Sequence, residues 1–135
     1  MNTQEYARRY ATAQVTVVDR EHLLQLVFEG GRKFLRLTRE ALAVGDVQRF
    51  AENLARAQAI IAELQSTLDH AAGGTIARDL ARLYDFMLFH LTEANAQQSL
   101  RHVDEVLVVF TSIADAYAAI LTRPASEATS ATVAA

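Results

Sequence analysis

Between Ile76 and Asn95 the apolar residues recur at intervals of three and four. Ile76, Leu80, Leu83, Tyr84, Met87, Leu91 and Ala94 therefore share one face of a helix. Arg78, Arg82, Asp85, Thr92 and Glu93 gather on the opposite side, with Phe89 in their midst and Phe86 just off the apolar stripe. One packed seam does not account for a large aromatic on a charged face. Such a helix is either buried on more than one side or carries a binding surface for another chain.

The same periodicity predicts three further long helices. The first, over about 20–44, has Leu23, Leu26, Val27, Phe34, Leu37 and Ala41 on one side and Leu24, Phe28, Leu35 and Leu42 flanking them. Gly45 supplies a stop and Asp46 a cap, which leaves only a tight turn and so an antiparallel neighbour. The second, over about 47–69, buries Phe50, Leu54, Ala57, Ile61, Leu64 and Leu68. His70 to Gly74 breaks it, because paired glycines supply the left-handed conformations of a helix end, and Gly74 or Thr75 then caps the central helix. Residues 96–99 form a short connection, and Ser99 caps a last helix over about 100–121. Its bundle-facing row is Leu100, Val103, Leu107, Phe110, Ala114, Tyr117 and Leu121. A second row, Val106, Val109, Ile113 and Ile120, lies roughly 100° from the first, more than one antiparallel neighbour covers.

Outside these helices the pattern weakens. Residues 2–13 are polar but carry Tyr6 and Tyr10 four apart, on one side of the segment if it is helical. Val15, Val17 and Val18 predict an extended linker, with Asp19 as cap of the first long helix. Pro124 ends helix formation, and the small, polar residues after it predict a disordered tail. The expected class is all-α: an antiparallel up-down four-helix bundle with an additional short N-terminal helix or segment. The expected division is 1–18 for the N-terminal segment, 19–122 for the bundle and 123–135 for the tail.

Composition agrees and narrows the function. Hydrophobic residues make up 51% and charged residues 21% of the 135, enough for one core without staples. Cysteine is absent, so there is no disulfide framework and no thiolate zinc site. A net charge of −3 argues against broad nucleic-acid binding. Neither a signal peptide nor a membrane-length apolar run is seen, so a soluble, intracellular protein is expected, with no membrane insertion. Arg8, Arg9, Arg32, Lys33, Arg36 and Arg39 make the first third locally basic. Glu21, Glu29 and Glu40 are interspersed, which favours a solvated face over an acidic-partner patch.

Catalytic chemistry finds little support. A di-iron carboxylate bundle needs Glu-x-x-His on two helices, whereas His90-x-x-Glu93 and His102-x-x-Glu105 run in the reverse order. Asp19-x-x-His22 falls at a helix start. The four histidines read as surface or partly exposed groups, and no cofactor or metal is expected. No nucleophile elbow or phosphate loop occurs. Gly30 and Gly31 lie mid-helix and mark either a close approach of a neighbour or merely a softened helix. What remains is the apolar excess. Phe86 and Phe89, with Val106, Val109, Ile113 and Ile120, form a groove for an amphipathic partner helix, a homodimer seam, or a surface covered by the N-terminal segment.

At these same residues a resemblance enters. The run from Leu54 through Gln58, Ile61, Leu64 and Leu68 to Asp69, then Gly73, Gly74, Leu83 to Met87, Leu91, Ala94 and Asn95, resembles the flagellin export chaperone family, FliS. The resemblance extends from Tyr6 to about Tyr117. It implies a cytoplasmic bacterial chaperone that binds the disordered C-terminal segment of flagellin, prevents premature polymerisation and delivers the subunit to the flagellar type III export gate. It further implies an N-terminal segment that covers the hydrophobic surface when flagellin is absent. Tyr6 and Tyr10 match the family's N-terminal aromatic positions, and Asn53, Gln58, Tyr84 and Asn95 its polar and aromatic ones. With Ile60, Phe86, Phe89, Val106, Val109 and Ile113 they are the candidate flagellin-binding residues. Members commonly carry a proline before the first long helix, where this chain has Thr16, Val17, Val18, Asp19 and Arg20. The alternative is a structural or regulatory homodimeric bundle that uses the same apolar surface for self-association.

Overall fold

The computed structural model describes residues 2–122, apart from the side chains of 11–19 and 122. Four helices follow one another: α1 (Thr3–Val44), α2 (Val47–Ser66), α3 (His70–Gln97) and α4 (Leu100–Thr122). α1 packs on α2 and α4, and α3 packs on the same two, so the helices close a four-membered ring. This is the all-α bundle that the periodicity predicts.

The turns follow from their residues. Gly45 adopts φ 75°, and its N–H donates to the carbonyls of Ala41 and Leu42, ending α1. Asp46 accepts from the Arg49 N–H at 3.2 Å and starts α2. Ser99 Oγ accepts from the His102 N–H at 3.3 Å and starts α4. α2 ends at Ser66, three residues earlier than expected, because Asp69 caps α3 by accepting from the Ala72 N–H at 3.0 Å. The glycine break falls inside α3, where Gly74 takes φ 51°, ψ −124° and kinks the helix. A β-carbon is disfavoured in that left-handed conformation.

The expected linker does not form. The backbone at 15–18 is helical, not extended, and α1 runs without interruption from Thr3, with Asn2 as cap accepting from the Glu5 N–H at 2.8 Å. Asp19 lies within the helix, its side chain outside the described residues, and so does not cap its start. The reason is energetic: β-branched residues cost a helix only a few tenths of a kcal/mol each, and no proline interrupts 15–20. The resulting 42 residues span about 63 Å, against about 30 Å for α2. The bundle ends near Arg20, which stands beside Thr67, so the N-terminal part of α1 extends beyond it. Residues 2–10 are exposed throughout, Tyr6 at 64% and Tyr10 at 67%. The expected disordered tail, 123–135, lies outside the described residues.

Leu35, Phe50, Ile61, Met87, Leu91, Val103 and Phe110 form the centre of the core. Its buried hydroxyl, on Thr38, donates to the Phe34 carbonyl one turn back at 2.6 Å. Leu23, Leu26, Ile76 and Leu83, expected on packed faces, are instead exposed. Leu23 and Ile76 stand near the ends of neighbouring helices, and the other two at the margin of their stripes. Arg32 and Arg39 bridge α1 to Asp115 and Asp104 of α4 at 2.8 and 2.5 Å, and Gln65 Nε2 donates to the Ala81 carbonyl and Asp85 of α3. Such half-exposed pairs contribute at most about 1 kcal/mol each.

The two mid-helix glycines separate. A β-carbon on Gly31 would collide with Cζ of Phe110, at 2.9 Å from Cε1 of that ring and 3.1 Å from Ile60 Cγ2. One on Gly30 would meet only Ile60 Cδ1, at an ordinary 3.6 Å. Overpacking costs about 1–3 kcal/mol, while exchanging a mid-helix glycine for alanine gains up to about 1 kcal/mol. Gly31→Ala is therefore expected to destabilise the fold and Gly30→Ala to stabilise it. Urea unfolding of the two variants checks these opposite signs.

Candidate functional site

α4 carries more apolar surface than its neighbours cover. Phe110, Val103, Val106 and Ala114 are buried, whereas Val109 and Ile113 are half-buried and Val108 and Ile120 exposed. On α3, beside them, Ile76 and Phe86 are exposed and Leu80 half-buried. Between these rows and the start of the packed part of α1 lies a cavity of about 490 Å³, its walls almost wholly apolar. Leu24, Phe28, Leu80, Ile113, Tyr117 and Ile120 contribute to them, with Tyr84 beside. One turn towards the start of α4 a second, open depression of about 570 Å³ continues the surface over Phe86, Val108 and Val109. Arg101, Asp104 and Glu105 give that second stretch charged edges. The two lie in line along α3 and α4 and together are termed the groove.

At its charged end the helices are clasped by histidine. His90 lies stacked between Phe86 and His102, with ring centroids 4.8 and 4.3 Å away, and its Nε2 meets Glu105 Oε2 at 2.5 Å. Arg101 Nε donates to the other oxygen of Glu105 at 2.9 Å. Hydrogen bonds from Arg101 and then His90 hold the Glu105 carboxyl below its ordinary range. The sequence pairs each histidine with an acid on its own helix; the fold pairs His90 with an acid on the next. His90 is thus a half-buried element of the α3–α4 contact. Among the described residues no group of three or more His, Asp or Glu side chains is arranged to hold a metal. No helix among them is long and apolar enough to cross a membrane.

The candidate residues fall in several places. Phe86, Val109 and Ile113 line the groove and Phe89 stands on the outer face of α3, 66% exposed. Tyr84 is 2% exposed at the edge of the cavity. Val106 is fully buried in the core and presents no surface in this conformation, because it faces the same interior as Val103 and Phe110. Ile60 packs against the core between α1 and α2, close to Gly30 and Gly31. Asn53 is buried with its amide donating to the Arg49 carbonyl at 2.9 Å, Gln58 is half-buried, and Asn95 is exposed near the end of α3. Tyr6 and Tyr10 stand on the extension of α1, apart from the groove. Leu24 and Phe28 of α1 were not among the candidates, although they line the cavity. Their position flanking the main stripe of α1 is the only signal the sequence offers.

Comparison with known proteins agrees with this architecture. The model of the family described as flagellar protein FliS matches residues 2–124. The chain belongs to the FliS family. The flagellar secretion chaperone FliS of Salmonella typhimurium is 33% identical over 113 residues, covering 83% of this chain and 84% of that one. FliS of Vibrio cholerae is 29% identical over 114 residues, covering 84% of each, and FliS of Bacillus subtilis 31% over 108, covering 80% of each. These FliS relatives are named as chaperones and not as enzymes.

Burial pushes the Tyr84 phenol from 10.0 up to about 12. The folded protein then holds this proton more tightly than the unfolded chain, so the contribution to stability is complete below pH 10 and lost as pH rises to 12. Tyr84→Phe has no such proton. Between pH 10 and 12 the wild type is expected to lose on the order of 1–2 kcal/mol more unfolding free energy than the variant, measured by urea unfolding at each pH.

Proposed function

We propose that this chain is a cytoplasmic export chaperone that binds the disordered C-terminal segment of flagellin along the α3–α4 groove. Bound there, the segment is kept from premature polymerisation and is brought to the flagellar type III export apparatus. The observation that carries this reading is the pair of largely apolar depressions in line along α3 and α4, with Ile76 and Ile120 exposed at one end and Phe86 and Val108 at the other. Membership of the FliS family supports it, as does the naming of the relatives as flagellar secretion chaperones.

The physics of such a site is binding coupled to folding. A disordered segment that becomes helical in the groove loses chain entropy and gains burial of its apolar face against that of the chaperone. The groove has no reaction to perform. Its charged edge at Arg101, Asp104 and Glu105 sets orientation more than affinity, since exposed ion pairs contribute little.

Calorimetric titration of the purified protein with a peptide of the C-terminal segment of flagellin from the same organism tests the proposal. Saturable one-to-one binding with a negative heat-capacity change is expected. A monodisperse, folded sample that ignores the peptide but self-associates would instead favour the homodimeric bundle. Phe89, exposed on an otherwise polar face, gives a second test. Phe89→Asp is expected to weaken peptide binding at least tenfold, the loss of about 1.4 kcal/mol or more that an aromatic anchor brings. Its unfolding free energy should change by no more than about 0.5 kcal/mol, as for a surface substitution. A large fall in stability with binding intact would place Phe89 in the fold and not in the site.

A further inference from the structure

The cavity at the apolar end of the groove is lined by one polar group, among the described residues, whose hydrogen bond is not made with any of them. Five lining residues carry polar side chains. Thr67 Oγ1 donates to the Leu64 carbonyl at 2.7 Å, Asp69 caps α3, and Ser112 Oγ donates to the Val108 carbonyl at 3.0 Å. Tyr117 Oη donates to the Glu21 carbonyl at 3.4 Å. Tyr84 is different. Its hydroxyl bonds to none of the described residues, although the side chain is 98% removed from solvent. The oxygen is not among the unpartnered side-chain atoms sealed from solvent, and Tyr84 is one of the residues that line the cavity.

Resting on the proposed function, we infer that Tyr84 is the specificity-determining polar contact of the groove. It binds one uncharged hydrogen-bonding side chain, an amide or a hydroxyl, set in the otherwise apolar face of the flagellin helix. The chemistry selects this group. A carboxylate or ammonium would be stripped of water among Leu24, Phe28 and Ile113, at a cost that one phenol does not offset, and Asp69 on the rim further disfavours an anion. Backbone carbonyls inside a bound helix are already committed to their own ladder. Asn, Gln, Ser or Thr offers an acceptor to the phenol O–H and remains neutral. The fold has already desolvated the phenol, so a partner with a matching group recovers a bond that an all-apolar helix leaves unmade. The contact thereby fixes the register of the bound helix, which apolar packing alone leaves free to slip by a turn.

The test pairs Tyr84→Phe with a set of flagellin C-terminal peptides in which each Asn, Gln, Ser and Thr is replaced in turn by Ala. Binding is read by calorimetry and folding by thermal unfolding. The variant is expected to unfold at the same or a higher temperature and to bind the parent peptide about fivefold to tenfold more weakly, as for loss of one hydrogen bond. One alanine peptide should show the same loss against the wild type and no further loss against Tyr84→Phe. Equal binding by variant and wild type overturns the inference while leaving the proposed function standing. So does a scan against the wild type in which no alanine peptide binds more weakly, a result independent of how the variant folds. A wild type that takes none of the peptides removes the proposed function and this inference with it.

Discussion

The approach of Phe110 to Gly31 fixes how α4 sits on the bundle. The ring fills the space a β-carbon would occupy, with Ile60 of α2 closing the other side. Once Phe110 is held there, rotation of α4 is no longer free. Val103, Val106 and Ala114 turn inward with it, and the flanking row of Val109, Ile113 and Ile120 must turn towards the edge of α3. A different residue at position 31 would displace the ring and, with it, the wall of the groove. Stability and site are therefore coupled through one contact, although Gly31 itself is buried.

The bundle was legible because its signals are local. Gly45, Asp46 and Ser99 act through their own turns, and the apolar stripes of α2 and α3 need no knowledge of their neighbours. Failures occur where the deciding energy is small or non-local. At 15–18 the preference of valine against helix amounts to tenths of a kcal/mol per residue, and a helix already propagating on both sides overrides it. Val106 and Val109 lie in one row on a helical wheel, yet one is in the core and the other at its edge. A wheel gives a direction, and the position of the next helix decides what that direction meets. The His90–Glu105 contact was illegible for the same reason, since its two residues come from different helices.

Phe86 and Phe89 show the opposite case. Spacing alone puts Phe89 on the polar face of α3 and Phe86 just off the apolar stripe, and the structure leaves both exposed. A packed bundle has no use for two such rings outside its core, each carrying apolar surface worth about 25 cal/mol per Å² if covered. A fold under selection for solubility alone would place polar residues there. Their presence beside a groove fits a site, since where local chemistry departs from the fold's own rule, function is the expected cause.

The shape of the groove then limits what fills it. From Arg101 to Ile120 the lining residues of α4 extend over about 30 Å, long and shallow, suited to a helix and not to a compact ligand. Apolar packing along such a length is nearly degenerate: a helix displaced by one turn meets the same kinds of side chain. Depth gives affinity here, but it does not give register. Register needs features that do not repeat, and the groove has two of different kinds. The charged edge around Glu105 lies at one end, and the Tyr84 phenol stands further along, at the edge of the apolar cavity. Under the proposed function, two features that do not repeat along the groove would hold an incoming disordered chain to one alignment. If the chain presents a cargo helix as proposed, this arrangement supplies the register that a uniformly apolar trough does not.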